Sequence, residues 1–382
     1  MSKRSRSEDS QGLDTQAPPR IKPRLNTEPG LTRILSWNVE TPVPFLQLPG
    51  NKARSAANAT PSIVPGSSPG LLRDLIRRHD FPDFVCLQEV RARHTDKEWI
   101  SALRLAANYG AHEGAFKRGS SRSGMDADAV VEPRYTMYHS LSRATRGQRH
   151  FGVVTFVREP STVAAAREVN WDAEGRVHIL EMKTGWALVN VYALNGSEFM
   201  WRDPLGQAAP KTRNERKREF NRLLMQECVA LQQRGLRVVL IGDFNISLGK
   251  RDCHPRLRTE YPHGLARSEF REQFFPGVGV VDVFRELHPE VKAYSWFAKG
   301  KPQGADCARV DYALVENSLR PNVVDISYLE DLKERGHSDH APLLLIMRGM
   351  TELNDEDRGV QGMEPIDPQL QQGGLQATSQ NR

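Results

Sequence analysis

Apolar runs six to nine residues long, bounded by Gly, Pro, Asn or Asp, recur between positions 33 and 347. They read RILSWNV (33–39), FVCLQEV (84–90), FGVVTFV (151–157), VHILEM (177–182), WALVNVYAL (186–194), RVVLIGDF (237–244), RVDYALV (309–315) and APLLLIM (341–347). Several are apolar at almost every position, which predicts strands buried on both faces rather than strands with one wet face. Helical signals lie between them: Pro69 to His79, with Ser68 as cap and Pro69 in the first turn; Asp96 to Tyr109; and Thr212 to Arg234, closed by Gly235. Strands interleaved with helices predict a mixed α/β chain. The connections 41–67 and 117–134 follow neither period, and loops of that length in a compact domain are either functional or disordered.

The ends differ from the body. Residues 1–30 are rich in Ser, Arg, Pro and Gln, and the segment 350–382 is acidic and rich in Gln and Gly. Both compositions predict disordered tails, leaving 31–349 as one domain. The formal net charge is +6; the tails hold +2 (1–30) and −4 (351–382), so residues 31–350 carry +6 − 2 + 4 = +8. A basic body suits a polyanionic partner such as DNA. The four cysteines, Cys86, Cys228, Cys253 and Cys307, are far apart and show no CxxC spacing, so neither a zinc site nor a disulfide framework is indicated and a reducing compartment is expected. The chain lacks an apolar run long enough for a membrane span, and its first residues lack the apolar core of a secretory signal. KRSR and PPRIKPR near the start have the composition of nuclear import signals.

Polar residues recur where strands end, the position that faces a shared crevice in an open α/β architecture. Asn38 and Glu40 follow ILSW; Glu89 follows FVCLQ; Tyr192 and Asn195 close WALVNV; Asp243 and Asn245 close VVLIG; Asp311 follows ARV; Asp339 and His340 precede APLLLI. One such residue is ordinarily a strand cap or a surface acid, but six clusters in one chain point to a site.

The segments ILSWNVE, CLQE, NVYALNG, GDFN, RVDY and SDHAP resemble, in the same order, the signature segments of the exonuclease III type of apurinic/apyrimidinic (AP) endonuclease, and FGVVTFVRE resembles that family's glycine-containing strand. The resemblance spans about 320 residues, from Thr32 to Gly349. It implies the DNase I-like fold of the endonuclease/exonuclease/phosphatase superfamily, a four-layered α/β sandwich of two packed β-sheets flanked by helices. It also implies a Mg2+-dependent hydrolase (Mn2+ as substitute) that cuts DNA 5′ of abasic sites or trims 3′ ends in base excision repair, acting as a monomer. A phosphodiester repels nucleophiles, so its hydrolysis calls for a hard cation, a base for water and help for the leaving oxygen. On this resemblance Glu89 is the first metal ligand, with Asn38, Glu40 and Asp339 around it and Asp243, Asn245 and His340 within the metal's reach. Asp243 orients and deprotonates water, Asn245 and Asn195 donate to phosphate oxygens, Tyr192 sets its hydroxyl against the phosphate, and His340, oriented by Asp311, opposes the developing charge.

Competing readings are a phosphoinositide or sphingomyelin phosphodiesterase of the same superfamily and an inactive DNA- or protein-binding relative. ARVDYALV is closer to the endonuclease RxDY form than to the Trp-Cys-Asp-Arg segment of the inositol phosphatases. The structural alternative for Asp311 is a partner for Arg309. KTRNERKREFNR (211–222) could track a DNA backbone, but Glu215 is placed to pair with Arg218 and Glu219 with Arg222, which fits a solvated helix face at least as well; Cys253-His254 reads as an inert loop. Two positions depart from the family pattern. Glu40 stands where Asp or Asn is common, and Ala308 stands where an aromatic, commonly Trp, helps wall the abasic-site pocket; Trp296 could fill the space.

Overall fold

The computed structural model describes residues 30–46, 70–111, 132–144 and 151–350. Both tails, Ser68, Pro69 and most of the connections 41–67 and 117–134 lie outside the described residues. Two six-stranded sheets dominate. The first comprises β1 (Leu31–Asn38), β2 (Phe84–Gln88), β3 (Tyr135–Leu141), β4 (Gly152–Arg158), β14 (Val323–Tyr328) and β15 (Leu343–Arg348), in the order β14-β15-β1-β2-β4-β3. The second comprises β5 (Val163–Glu168), β6 (Val177–Met182), β7 (Trp186–Tyr192), β8 (Arg237–Asp243), β10 (Val280–Asp282) and β13 (Asp311–Glu316), in the order β10-β13-β8-β7-β6-β5. Each sheet has one parallel pair near its middle, β1/β2 in the first and β7/β8 in the second. A small ribbon of β9 (Cys253–His254), β11 (Trp296–Phe297) and β12 (Cys307–Ala308) lies beside them.

The apolar runs explain the layering. Ile34, Cys86 and Val157 of the first sheet pack against Leu188, Val239, Ile241 and Ala313 of the second, so the strands that read as apolar throughout are covered on both faces. The outer face of the first sheet is covered by α1 (Leu71–Arg78) and α2 (Lys97–Ala107), and that of the second by α3 (Arg213–Gln233). The result is the expected four-layered sandwich. Helix α3 buries Phe220, Leu224, Cys228 and Leu231, spaced at three or four residues on one stripe. It starts at a reciprocal capping box between Thr212 and Glu215 and stops before Gly235, whose φ of 81° favours glycine. Among the described residues no helix is long and apolar enough to cross a membrane.

A buried polar pin sits between the sheets just behind the strand ends. Gln88 Nε2 donates to Ser36 Oγ at 3.0 Å and to Asn190 Oδ1 of the opposite sheet at 2.8 Å; Asn190 Nδ2 returns to the first sheet at Val154 O (3.0 Å) and Thr155 Oγ1 (3.2 Å). Gln88 and Asn190 are fully buried, so an unpaired amide here would cost about 1–3 kcal/mol. The pin fixes the two sheets one residue before Glu89 and two before Tyr192.

Candidate active site

The C-terminal ends of the two parallel pairs open on one cleft of about 470 Å³. Asn38, Glu40, Glu89, Tyr192, Asn195, Asp243, Asn245, Asp339 and His340 all line it, and of the residues singled out from the sequence only Asp311 lies behind its wall. Backbone strain gathers here. Six described non-glycine residues have positive φ, and four of them, Glu40 (55°), Glu89 (59°), Arg91 (50°) and Asn245 (52°), line the cleft.

Asp243 is the centre of the second sheet's contribution. It is 1% exposed and accepts from Asn38 Nδ2 (3.0 Å), from the Asn245 backbone N–H (2.8 Å) and from Asn245 Nδ2 (3.0 Å). Its cross-strand partner is Asp311, so two carboxylates stand opposite each other in the interior. Burial first, then the charge of Asp311, raises the Asp243 carboxyl to about 7, against the opposing pull of His340. Asp311 in turn accepts from His340 Nδ1 at 2.8 Å. Burial alone would lower the imidazole's affinity for a proton, but the charge of Asp311 and the hydrogen bond to it prevail and raise it to about 10. Among the described residues Asp243, Asp311 and His340 are the one group of acids and histidines whose ligand atoms lie within 4.8 Å of one another.

His340 is held on three sides. Its carbonyl accepts from Trp37 Nε1 (3.1 Å), its N–H donates to Ser338 Oγ (3.0 Å), and Ser338 Oγ donates to Asn38 O (2.6 Å). Asp311 does not serve Arg309: that fully buried guanidinium bonds Asp252 and Asp282 instead. The Asp311 backbone is fixed by Ser295 Oγ, which accepts its N–H at 2.9 Å, and by the Tyr328 hydroxyl, which donates to its carbonyl at 2.6 Å. Ser338, Ser295, Tyr328 and Trp37 were not singled out from the sequence. Nothing in a single sequence separates such supporting groups from ordinary buried ones.

The first sheet's residues are arranged differently. Asn38 is 1% exposed, and its Oδ1 accepts the Glu40 N–H at 2.8 Å. The Glu89 carboxylate faces the cleft and pairs with Arg91 at 2.8 Å; Glu40 pairs with the exposed Lys299. Asp339 Oδ2 accepts from Trp296 Nε1 at 3.0 Å. Trp296 and Ala308 are direct cross-strand partners in the ribbon, and both line the cleft, so the indole stands beside the alanine and is anchored to Asp339. Tyr192 packs against Phe151, with ring centroids 5.9 Å apart, over the buried Arg176 guanidinium. Asn245 spends its side-chain N–H groups on Asp243 and on Ala193 O (3.0 Å), whereas Asn195 is exposed.

The profile of the Endonuclease/Exonuclease/phosphatase family matches residues 35–340. The chain belongs to that family. Its hydrolytic, phosphate-ester-cleaving class is therefore the one the resemblance implied. Within the family the chain is similar to the exodeoxyribonuclease of Bacillus subtilis (29% identical over 181 residues; 46% of this chain, 65% of the relative). It is also similar to the mouse DNA-(apurinic or apyrimidinic site) endonuclease 2 (23% identical over 360 residues; 82% of this chain, 59% of the relative). The chain thus spans about six-tenths of the length of these relatives. Among solved structures the APE2 catalytic domain of Xenopus laevis superimposes with a TM-score of 0.56 (22% identity, 83% of this chain and 92% of that one). The AP endonuclease LMAP of Leishmania major gives 0.58 (18% identity, 87% and 93%). These likenesses agree with the DNase I-like fold and with the exonuclease III-type resemblance.

Two expectations about the cleft wall need correction. The segment 211–222 is more than a solvated face: Arg213, Asn214 and Lys217 line the cleft, and Asn214, Arg216 and Lys217 are buried. The anticipated pairs of Glu215 with Arg218 and of Glu219 with Arg222 do not form; Glu215 serves the cap, Arg218 pairs with Glu269, and Glu219 takes Lys211 and Arg216. Cys253-His254 forms β9 and also lines the cleft. Both errors have one cause: helical periodicity and cysteine spacing do not reveal where a distant cleft will open.

Proposed function

We propose that this chain is a Mg2+-dependent phosphodiester hydrolase acting on DNA, of AP endonuclease type, that cuts 5′ of abasic sites and trims 3′ ends in base excision repair, in the nucleus. The observation that carries the reading is the pair of coupled groups in one cleft, Asp243 held by Asn38 and Asn245 and His340 held by Asp311. A carboxyl poised at about 7 is matched to accepting a proton from water near neutral pH. Asn38 and Asn245 aim it, and protonated His340, whose Nε2 stands 3.5 Å from Asn38 Nδ2, supplies positive charge for a phosphate oxygen. The exposed amide of Asn195 and the hydroxyl of Tyr192 supply further donors from the second sheet. The body's positive charge and the similarity to DNA-processing relatives support DNA as the diester.

The donor set beside Asp243 fits a hard divalent cation. Glu89, Glu40, Asn38 and Asp339 all line the cleft, and each can offer an oxygen, the donor type that Mg2+ prefers. The carboxylates of Glu89 and Glu40 are held by side-chain cations, Arg91 and Lys299, that can yield to an ion. Bound there, the ion neutralises phosphate charge and steadies the departing oxygen. Asp243 and His340 are already committed to each other's neighbours through hydrogen bonds, so their role is proton handling and charge, with the oxygens of the first sheet as the main ligands.

The test is a cleavage assay on a duplex carrying one abasic analogue, an intact duplex, a 3′-phosphate end and a phosphoinositide, each with Mg2+ and with EDTA. Mg2+-dependent cutting of the abasic duplex is expected. Full activity in EDTA, or turnover confined to the phosphoinositide, would overturn the reading.

A further inference from the structure

Many arginines elsewhere are matched to carboxylates, as in Arg73 with Glu132, Arg78 with Glu334, Arg234 with Glu181 and Arg309 with Asp282, while Arg237 is tied to the carbonyls of Gly185 and Thr184. One wall of the cleft gathers several cations that meet carbonyls instead, beside Arg256, which pairs with Glu260. Lys217 Nζ donates to the carbonyl of Asn245 (2.6 Å), and Arg267 donates to the carbonyls of Ser247 (2.6 Å) and Arg258 (2.8 Å). A carbonyl fixes the geometry of a cation without cancelling its charge. Lys217, Arg258 and Arg267 form no ion pair with any described carboxylate, and His263 lies among them. The acids near enough to be felt, Asp243, Asp252 and Glu260, answer four basic groups incompletely.

The assembly is costly as it stands. Lys217 is 4% exposed, and its ammonium is answered by a carbonyl with no carboxylate among the described residues bonded to it. Burial first, then the charges of Arg258 and Lys217, lowers the His263 imidazole below its ordinary range. Mutual repulsion of this kind is relieved by an anion placed among the cations, and a DNA strand that brings one phosphate to Asp243 carries its next phosphates within a nucleotide's length on either side.

We propose that Arg258 and His263, backed by Lys217 and Arg267, form a second phosphate site that grips a non-scissile link of the DNA strand beside the reacting one. The proposal rests on DNA being the substrate. Arginine tied to carbonyls through its own neighbours gives a fixed, undischarged cation, the arrangement that positions a backbone without reading bases. Arg258, which is exposed and whose side chain bonds to no described residue, is the group placed to close on that link.

The experiment measures equilibrium binding of a fluorescent abasic-analogue duplex to the full chain in EDTA. Single methylphosphonate links, which are neutral, are stepped along the strand on both sides of the analogue. Arg258→Gln should weaken binding about fivefold to tenfold and reduce the slope of log affinity against log salt by about 1, whereas His263→Gln, which removes an imidazole donor, should weaken binding about fivefold and leave the slope nearly unchanged at pH 7. Arg258→Lys should keep most of the affinity. At one neighbouring link the methylphosphonate should cost the wild type about tenfold and cost Arg258→Gln less than twofold, because the same contact is already gone. If the losses multiply at every link, or if Arg258→Gln binds like wild type, the second site is refuted even where the protein cuts DNA normally. A protein that shows this coupling but cuts no DNA would instead overturn the reading of the catalytic groups.

Discussion

The two parallel strand pairs, β1/β2 and β7/β8, end at the same cleft but deliver their side chains in different states. At the end of β8, Asp243 is sealed at 1% exposure and held by three hydrogen bonds from Asn38 and Asn245, with the His340–Asp311 pair beside it. At the ends of β1 and β2, Glu40 and Glu89, which share positive φ with Asn245 after β8, pair with the side-chain cations Lys299 and Arg91. The first arrangement is closed by hydrogen bonds within the protein; the second is held by ion pairs at the cleft. Under the proposed function, preorganisation resides in the half assigned to the proton and ion pairing in the half assigned to the metal.

The sharpest test of the contrast is Asp243→Asn. Turnover on DNA should fall by about 10² to 10⁴, the usual cost of losing a general base, while binding in EDTA stays within twofold of wild type. Equal losses of binding and turnover would make Asp243 a structural residue and remove the asymmetry. Glu89→Gln should act in another currency. The Mg2+ concentration for half-maximal rate should rise at least tenfold, and excess Mg2+ should restore part of the rate, which it cannot do for Asp243→Asn. Should Glu89→Gln lose rate with no shift in the Mg2+ titration, the two ends are alike and the comparison fails.

Much of this arrangement was legible in the sequence because burial and strand ends leave strong traces. β6 was read with its observed bounds, and the other apolar strands within two residues, since Ile, Val and Leu runs closed by a polar residue have few other solutions. β3, β5 and β14 were not read: YTMYHSL mixes polar positions without alternation, VAAARE is an edge strand exposed along its middle, and VVDISY carries a bulge between Val323 and Asp325. At the site, Asp243, Asp311 and His340 stood out because each terminates or precedes such a run. Lys217 and Arg258 did not, because their meaning depends on the acceptors they meet. A lysine on a helix that donates to a carbonyl and one that faces water look the same in one dimension. The Ala308 position shows a further limit: its consequence depends on Trp296 across the ribbon, twelve residues away in the chain and adjacent in space.

A third carboxylate, outside the cleft, provides the control with the smallest expected effect. Glu334 accepts from Arg78 (Nε at 3.0 Å, Nη2 at 2.9 Å) and pairs with His79 Nε2 at 3.1 Å, tying the end of α1 to the segment that leads into Ser338 and His340. Partial burial would raise its carboxyl, but the bonds from His79 and Arg78 outweigh this and hold it at about 2. A folded-state value below the unfolded one means that the pair's stabilisation is fully present above about 4.5 and disappears as pH falls through about 2. Glu334→Gln should therefore lower Tm at pH 7 by roughly 2–4 °C, as expected for about 1 kcal/mol from a partly exposed pair. The difference from wild type should close as pH is lowered from 4.5 toward 2. Thermal melts across that range, with turnover and the Mg2+ titration measured at pH 7, decide the matter. A difference that persists at low pH would assign Glu334 a packing role without charge. A change in turnover or in Mg2+ demand would show that the tie reaches His340, so that the cleft's completed half depends on contacts well outside it.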